Sequence, residues 1–163
     1  MRTAYQRVTD VSEVPGCLRR LAVRTAVLDV EPLVATWDSS QQVLDRGLQI
    51  MVAMIAAVPG VQVLCFATNS DRLPSARPPD AGVRVEYLAS ARKPLRTGPY
   101  LSLPRPGAVV GDQVATDGLL ARRLAYAFVH YRPRRRDMPP GPLLLSGAGD
   151  LVRPLLFSSR ERG

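Results

Sequence analysis

The run Ala26-Val27-Leu28-Asp29-Val30-Glu31-Pro32-Leu33 constrains the chain most. A short Val- and Leu-rich stretch without polar alternation reads as a strand buried on both faces, as strands of a parallel sheet are. Pro32 has no N–H to give to a ladder, so the strand ends before it. Asp29 and Glu31 therefore stand where a strand leaves its sheet. That carboxyl edge is where open α/β sheets bind ligands. Two acids there are hard to explain as packing, and the rest of the chain reads as supplying partners for them.

Further strands follow at intervals. Val61–Ala67 is a second apolar run and leads into the polar turn Thr68-Asn69-Ser70-Asp71. Val83–Leu88 alternates, as an edge strand does. Ala108-Val109-Val110-Gly111-Asp112 again ends in an acid, and Ala127–Tyr131 is a last strand. Ser39 or Ser40 caps a helix running to about Ala57, with Val43, Leu44, Leu48, Met51, Ile55 and Val58 at helical spacing. Pro59-Gly60 ends it. Thr116–Ala125 reads as another helix. Residues 95–107 hold three prolines and two glycines, which leaves little room for one. Strands alternating with helices imply an α/β fold, a three-layer domain around a parallel central sheet. We expect one domain over residues 1–163. It has a lead-in at 1–24 with one short helix starting at Asp10-Val11-Ser12-Glu13, a core at 25–131, and a basic, proline-rich tail at 132–163. The tail carries an amphipathic segment around Leu151–Phe157.

The formal net charge of +8 favours anionic partners: phosphorylated metabolites, anionic lipid or nucleic acid. Much of the excess lies in Arg132–Arg136 and in Arg160 and Arg162. No zinc-finger spacing, RNA-recognition signature or basic heptad array accompanies it, which argues against nucleic acid. Cys17 and Cys65 are isolated and give neither a disulfide framework nor metal spacing, so a reducing cytosol is the expected compartment. The longest apolar stretch, Ile50–Val58, is too short to span a bilayer. The expectation is a soluble cytoplasmic protein, at most peripheral to a membrane, where one short basic stretch gives only marginal binding.

Three strand ends carry polar groups: Asp29 with Glu31, Thr68 with Asn69, and Asp112 with Asp117. Lys93 lies on the loop before the last of these. Carboxylates suit a hard Mg²⁺ ion, and cation plus lysine offset phosphate charge so that an anionic nucleophile can approach. In this order the residues resemble the four motifs of the haloacid dehalogenase-like phosphatases: Asp29-x-Glu31, Phe66-Ala67-Thr68-Asn69, Ala91-Arg92-Lys93-Pro94 and Val110-Gly111-Asp112-Gln113-x-x-Thr116-Asp117. The pattern is most similar to the small capless branch that includes phosphatidylglycerophosphate phosphatases, with Ala-x-Lys-Pro and Gly-Asp-Gln-x-x-Thr-Asp as its third and fourth motifs. The resemblance implies a capless domain. It also implies a Mg²⁺-dependent phosphate monoester hydrolase with Asp29 as nucleophile and metal ligand. Glu31 would stand in the general acid/base position, with its main-chain carbonyl on the metal. Thr68 and Asn69 would bind phosphate, Lys93 would steady Asp29 and the phosphate, and Asp112 and Asp117 would complete the metal site. The implied substrate is a lipid phosphate or a phosphorylated macromolecule.

The first motif departs from the branch pattern Asp-x-Asp-Asn-Thr. Glu31 is one methylene longer than the usual Asp, and Pro32-Leu33 replace Asn-Thr. A general base must reach its proton within about 3 Å, so a catalytically impaired protein that only binds or scaffolds is the alternative. The spans from Thr68 to Lys93 and on to Asp112 are short and proline-rich where the family places helices. Sheet left bare there would offer a protein partner or a second copy a surface. Trp37 reads as flap or core packing, His130 as core or surface filler, and Asp38 and Asp45 as solvated or capping groups.

Overall fold

The computed structural model describes residues 3–78, 80–132 and 157–159. Three five-residue runs, every residue of them buried, form the middle of its sheet: β2 (Thr25–Asp29), β3 (Val63–Ala67) and β5 (Gly107–Gly111). Four strands flank them: β4 (Arg84–Leu88) on one side, and β6 (Ala127–Tyr131), β1 (Thr3–Val8) and β7 (Phe157–Ser159) on the other. The order is β4-β3-β2-β5-β6-β1-β7, and every pairing is parallel. The alternating strand β4 is at an edge, as its pattern predicts.

Side chains of a strand point alternately to opposite faces, so the sheet has two cores. On one face lie α1 (Val14–Arg20) and α2 (Gln41–Ala56). Their Cys17, Leu18, Leu44, Leu48 and Ile55 pack with Leu28, Phe66 and Val110. The short turn Val11–Glu13 before α1 begins in a capping box between Asp10 and Glu13. Ser40 caps α2, its Oγ accepting from the Val43 N–H. On the other face, α3 (Leu119–Leu124) packs Leu120, Ala121 and Leu124 with Val27, Cys65, Val109 and Phe128. The expected three-layer α/β architecture with a parallel sheet is therefore the one observed, and the described residues form no cap.

The connections place the site. From β2 the chain moves through α2 to β3 and β4 on one side. It then returns to β5 on the opposite side of β2 and continues outward to β6. The strand order thus reverses between β2 and β5, which opens a crevice beyond their carboxyl ends. Asp29 closes β2 and Asp112 follows β5, so both acids stand at that crevice.

Three expectations need correction. Residues 1–24 are more than a lead-in, because Thr3–Val8 is a strand paired with β6. Of the two spans expected to leave sheet bare, the one after Lys93 makes only a short turn at Gly98–Tyr100, yet buries Tyr100 and Leu103 in one core with residues of β3 and β5. The helix predicted from Thr116 is in two parts, a wide π-type turn at Val114–Gly118 and then α3. Most of the tail, including Arg134–Arg136 and most of Leu151–Phe157, lies outside the described residues. No helix among the described residues is long and apolar enough to cross a membrane.

Candidate active site

Four segments converge at the carboxyl end of the sheet. β2 ends in Asp29, with Glu31 two residues on. Thr68 follows β3, Lys93 lies on the loop after β4, and Asp112 and Asp117 follow β5. All six of these side chains are buried. The sheet supplies this convergence, because parallel strands end at one edge and each next loop begins there.

Lys93 is the centre of the arrangement. Its Nζ lies 2.7 Å from Asp29 Oδ1 and 2.7 Å from Asp117 Oδ1. Burial pulls the ammonium toward neutrality, but the charges of Asp117 and Asp29 more than offset this and hold its pKa above the ordinary value. Asn69 fixes the loop. Its Oδ1 accepts from the Lys93 N–H (2.7 Å) and its Nδ2 donates to the Lys93 carbonyl (3.2 Å). The Asn69 side chain thus holds the backbone of Lys93 through its amide oxygen and one of its two amide N–H groups.

Asp29, Asp112 and Asp117 each bring a carboxylate oxygen within 4.8 Å of the others. One ammonium faces three acids, and the local charge is short of balance. Burial and then the Asp117 charge push Asp29 well above the usual carboxylate range, with Lys93 opposing. The same two causes push Asp112 up to about 7. Asp112 is 2% exposed, and both its carboxylate oxygens lack a hydrogen-bond partner among the described residues. A buried carboxylate without a donor is expensive. Three hard oxygen donors, one of them orphaned, are what a Mg²⁺-type cation takes. The residues present therefore fit such an ion.

The backbone is shaped to bring Asp117 in. A Cβ on Gly111 would lie 2.3 Å from Asp117 Cγ, so only glycine lets that carboxyl reach the end of β5. The wide turn after Gln113 then closes over it, with the Gln113 N–H 3.3 Å from Asp117 Oδ2.

Glu31 does not join the acidic trio through its carboxylate. Its Oε2 accepts from the Thr68 hydroxyl at 2.7 Å, and Thr68 Oγ1 lies 2.8 Å from Ser70 Oγ.

An open cleft of about 80 Å³ leads to these groups, lined by Asp29, Glu31, Trp37, Thr68, Asn69, Ser70, Lys93, Gln113 and Thr116. Drug-sized pockets run to about 300–1,000 Å³, so the cleft seats a small group and leaves any larger remainder outside. Trp37 is 40% exposed at its rim rather than in the core. The flap bearing Trp37 is tied down by Arg72, whose guanidinium donates to the carbonyls of Thr36, Ser39 and Ser40.

Sequence reasoning passed over Ser70, Gln113 and Thr116 as site residues, although each lies within two residues of one it singled out or within the fourth motif itself. It also passed over the role of His130, a buried residue whose Nε2 lies 3.0 Å from the Asp112 carbonyl oxygen and whose Nδ1 lies 2.8 Å from the Tyr5 hydroxyl. Since a carbonyl only accepts, Nε2 carries the proton. Nothing in the local sequence signals this link, because it depends on Gly111 and His130 standing in register across β5 and β6. Comparison with protein-family models, with curated proteins and with solved structures gives no match.

Proposed function

We propose that this protein is a Mg²⁺-dependent phosphate monoester hydrolase that works through a phosphoenzyme on Asp29. The observation that carries the reading is the buried trio of Asp29, Asp112 and Asp117 at the strand-order reversal, with Lys93 between two of its members and Asp112 left without a donor. The four-motif resemblance to haloacid dehalogenase-like phosphatases supports the same reading.

Asp29, Asp112 and Asp117 would hold the cation, which when bound offsets the charge of the phosphoryl oxygens and of the acids around it. Lys93 holds the Asp29 carboxylate in place and adds a positive charge beside the phosphoryl group. An Asp29 oxygen attacks phosphorus as the bond to the leaving oxygen breaks. Glu31, in its acid form, gives that oxygen a proton, and then as a carboxylate takes one from the water that cleaves the acyl phosphate. Serving in this way requires Glu31 to leave Thr68.

The small open cleft favours a phosphate carried on a large body outside it, such as a lipid or a macromolecule. We place the protein in the cytoplasm, with peripheral membrane contact through its basic surface.

One observation favours a second reading, a catalytically impaired protein that binds rather than turns over. The Glu31 carboxylate is bonded to Thr68. The test is release of p-nitrophenol from p-nitrophenyl phosphate by the full chain with Mg²⁺. The hydrolase reading expects release that EDTA abolishes and that Asp29→Asn removes while its circular dichroism spectrum is unchanged. No release, alongside a Mg²⁺-dependent rise in melting temperature, would leave the binding reading standing.

A further inference from the structure

Several of the cleft's hydrogen-bond donors are engaged inside the protein. Asn69 uses one of its two amide N–H groups on the Lys93 carbonyl. Lys93 uses two of its three N–H groups on Asp29 and Asp117. A hydroxyl has one proton to give and two lone pairs to receive, and Thr68 has filled all three. It donates to Glu31 Oε2 at 2.7 Å. It accepts from the Ser70 N–H at 3.0 Å. With its own proton on Glu31, it must also accept from the Ser70 hydroxyl at 2.8 Å. The chain Ser70→Thr68→Glu31 thus directs two hydroxyl protons along a line that ends on the Glu31 carboxylate.

We infer that Glu31 is a resident competitor for the anion seat of this cleft: its carboxylate takes the Thr68 hydroxyl proton that a bound phosphate oxygen would otherwise receive. The inference rests on the cleft being a phosphate site. It adds that the affinity of that site is set by Glu31 through Thr68. Thr68 is fully buried and Glu31 is 5% exposed, so solvent does not supply Thr68 with an alternative acceptor. A phosphate oxygen arriving at Thr68 must displace the carboxylate. The same displacement releases Glu31 for proton transfer, so anion binding and freeing of the second carboxylate are one event.

The test is a double-mutant cycle on the affinity of inorganic phosphate, measured by calorimetry on the full chain with Mg²⁺ present. Glu31→Leu fills the space without an acceptor, and Glu31→Ala serves if the leucine disturbs folding. Removing the charge alone tightens phosphate in any background, so the comparison is between the gain with Thr68 intact and the gain in the Thr68→Val background. We expect the gain with Thr68 to be the larger by about tenfold or more, the size of a hydrogen bond to a charged group. Equal gains in the two backgrounds would overturn the inference, as would an absence of phosphate binding by every variant. Turnover of p-nitrophenyl phosphate by the wild type reports on the hydrolase reading separately. Turnover with equal gains sinks the competitor and spares the hydrolase. A Thr68-dependent gain without turnover does the reverse.

Discussion

Replacing Asp112 by Asn tests the centre of the site, and its sign runs against the usual effect of a core substitution. Asp112 is buried, both its oxygens lack donors among the described residues, and its pKa is pushed from the ordinary 3.8 to about 7, first by burial and then by the Asp117 charge. At ~1.36 kcal/mol per pH unit, holding that carboxylate ionised in the folded state costs about 4 kcal/mol. Asn removes the charge but leaves a neutral amide short of partners, at a cost of about 1–3 kcal/mol. The net expectation is a variant more stable than wild type by about 1–3 kcal/mol in EDTA at pH 8. The pH dependence has a definite direction. Between 3.8 and about 7 the folded state holds more protons than the unfolded chain, so this group lowers stability as pH rises through that window and is level above it. The advantage of Asp112→Asn therefore shrinks at pH 5. Mg²⁺ should offset most or all of that advantage by stabilising only the form that binds it, by about 2.7 kcal/mol at a hundred times its Kd. Urea denaturation at pH 5 and pH 8, in EDTA and in Mg²⁺, measures all four quantities. A variant less stable than wild type in EDTA at pH 8, with a wild type indifferent to Mg²⁺, would refute the reasoning.

Lys93→Met leaves Asp29 and Asp117 facing each other without their shared cation. It should destabilise the fold by about 3–5 kcal/mol in chemical denaturation and abolish phosphate release, and adding Asp117→Asn should recover part of the stability. Gly111→Ala puts a Cβ 2.3 Å from Asp117 Cγ. It should cost about 1–3 kcal/mol and weaken the Mg²⁺-induced rise in melting temperature, whereas Gly98→Ala, which meets nothing within 4 Å, should change neither. Burial pushes the Cys65 thiol up to about 12 and raises Cys17 as well. Ellman's reagent should therefore find no fast thiol in the native protein and two in urea.

Much of the architecture is legible in the residues. Strands buried on both faces have to be apolar throughout, so β2, β3 and β5 stand out as runs. Polar groups cannot be buried unpaired within such a run, so acids and hydroxyls collect at its end. For that reason Asp29, Thr68, Lys93, Asp112 and Asp117 could be placed together from the sequence, and they do converge. The first strand escaped notice for the complementary reason. Thr3–Val8 alternates, and its identity as a strand depends on pairing with β6, more than a hundred residues later.

Residue types and their order determined the sheet's central strands, the helix caps at Asp10 and Ser40, and the set of chemical groups at the crevice. Tertiary structure alone decided what each group does with its hydrogen-bonding capacity. Asn69 is bonded to the Lys93 backbone, Glu31 to Thr68, and His130 to the Asp112 carbonyl, while the Asp112 carboxylate finds no donor among the described residues. Each of these outcomes turns on an ångström of reach between segments far apart in the chain. A sequence specifies which groups arrive at a sheet edge, but only the packed backbone sets which of them are within hydrogen-bonding reach of one another.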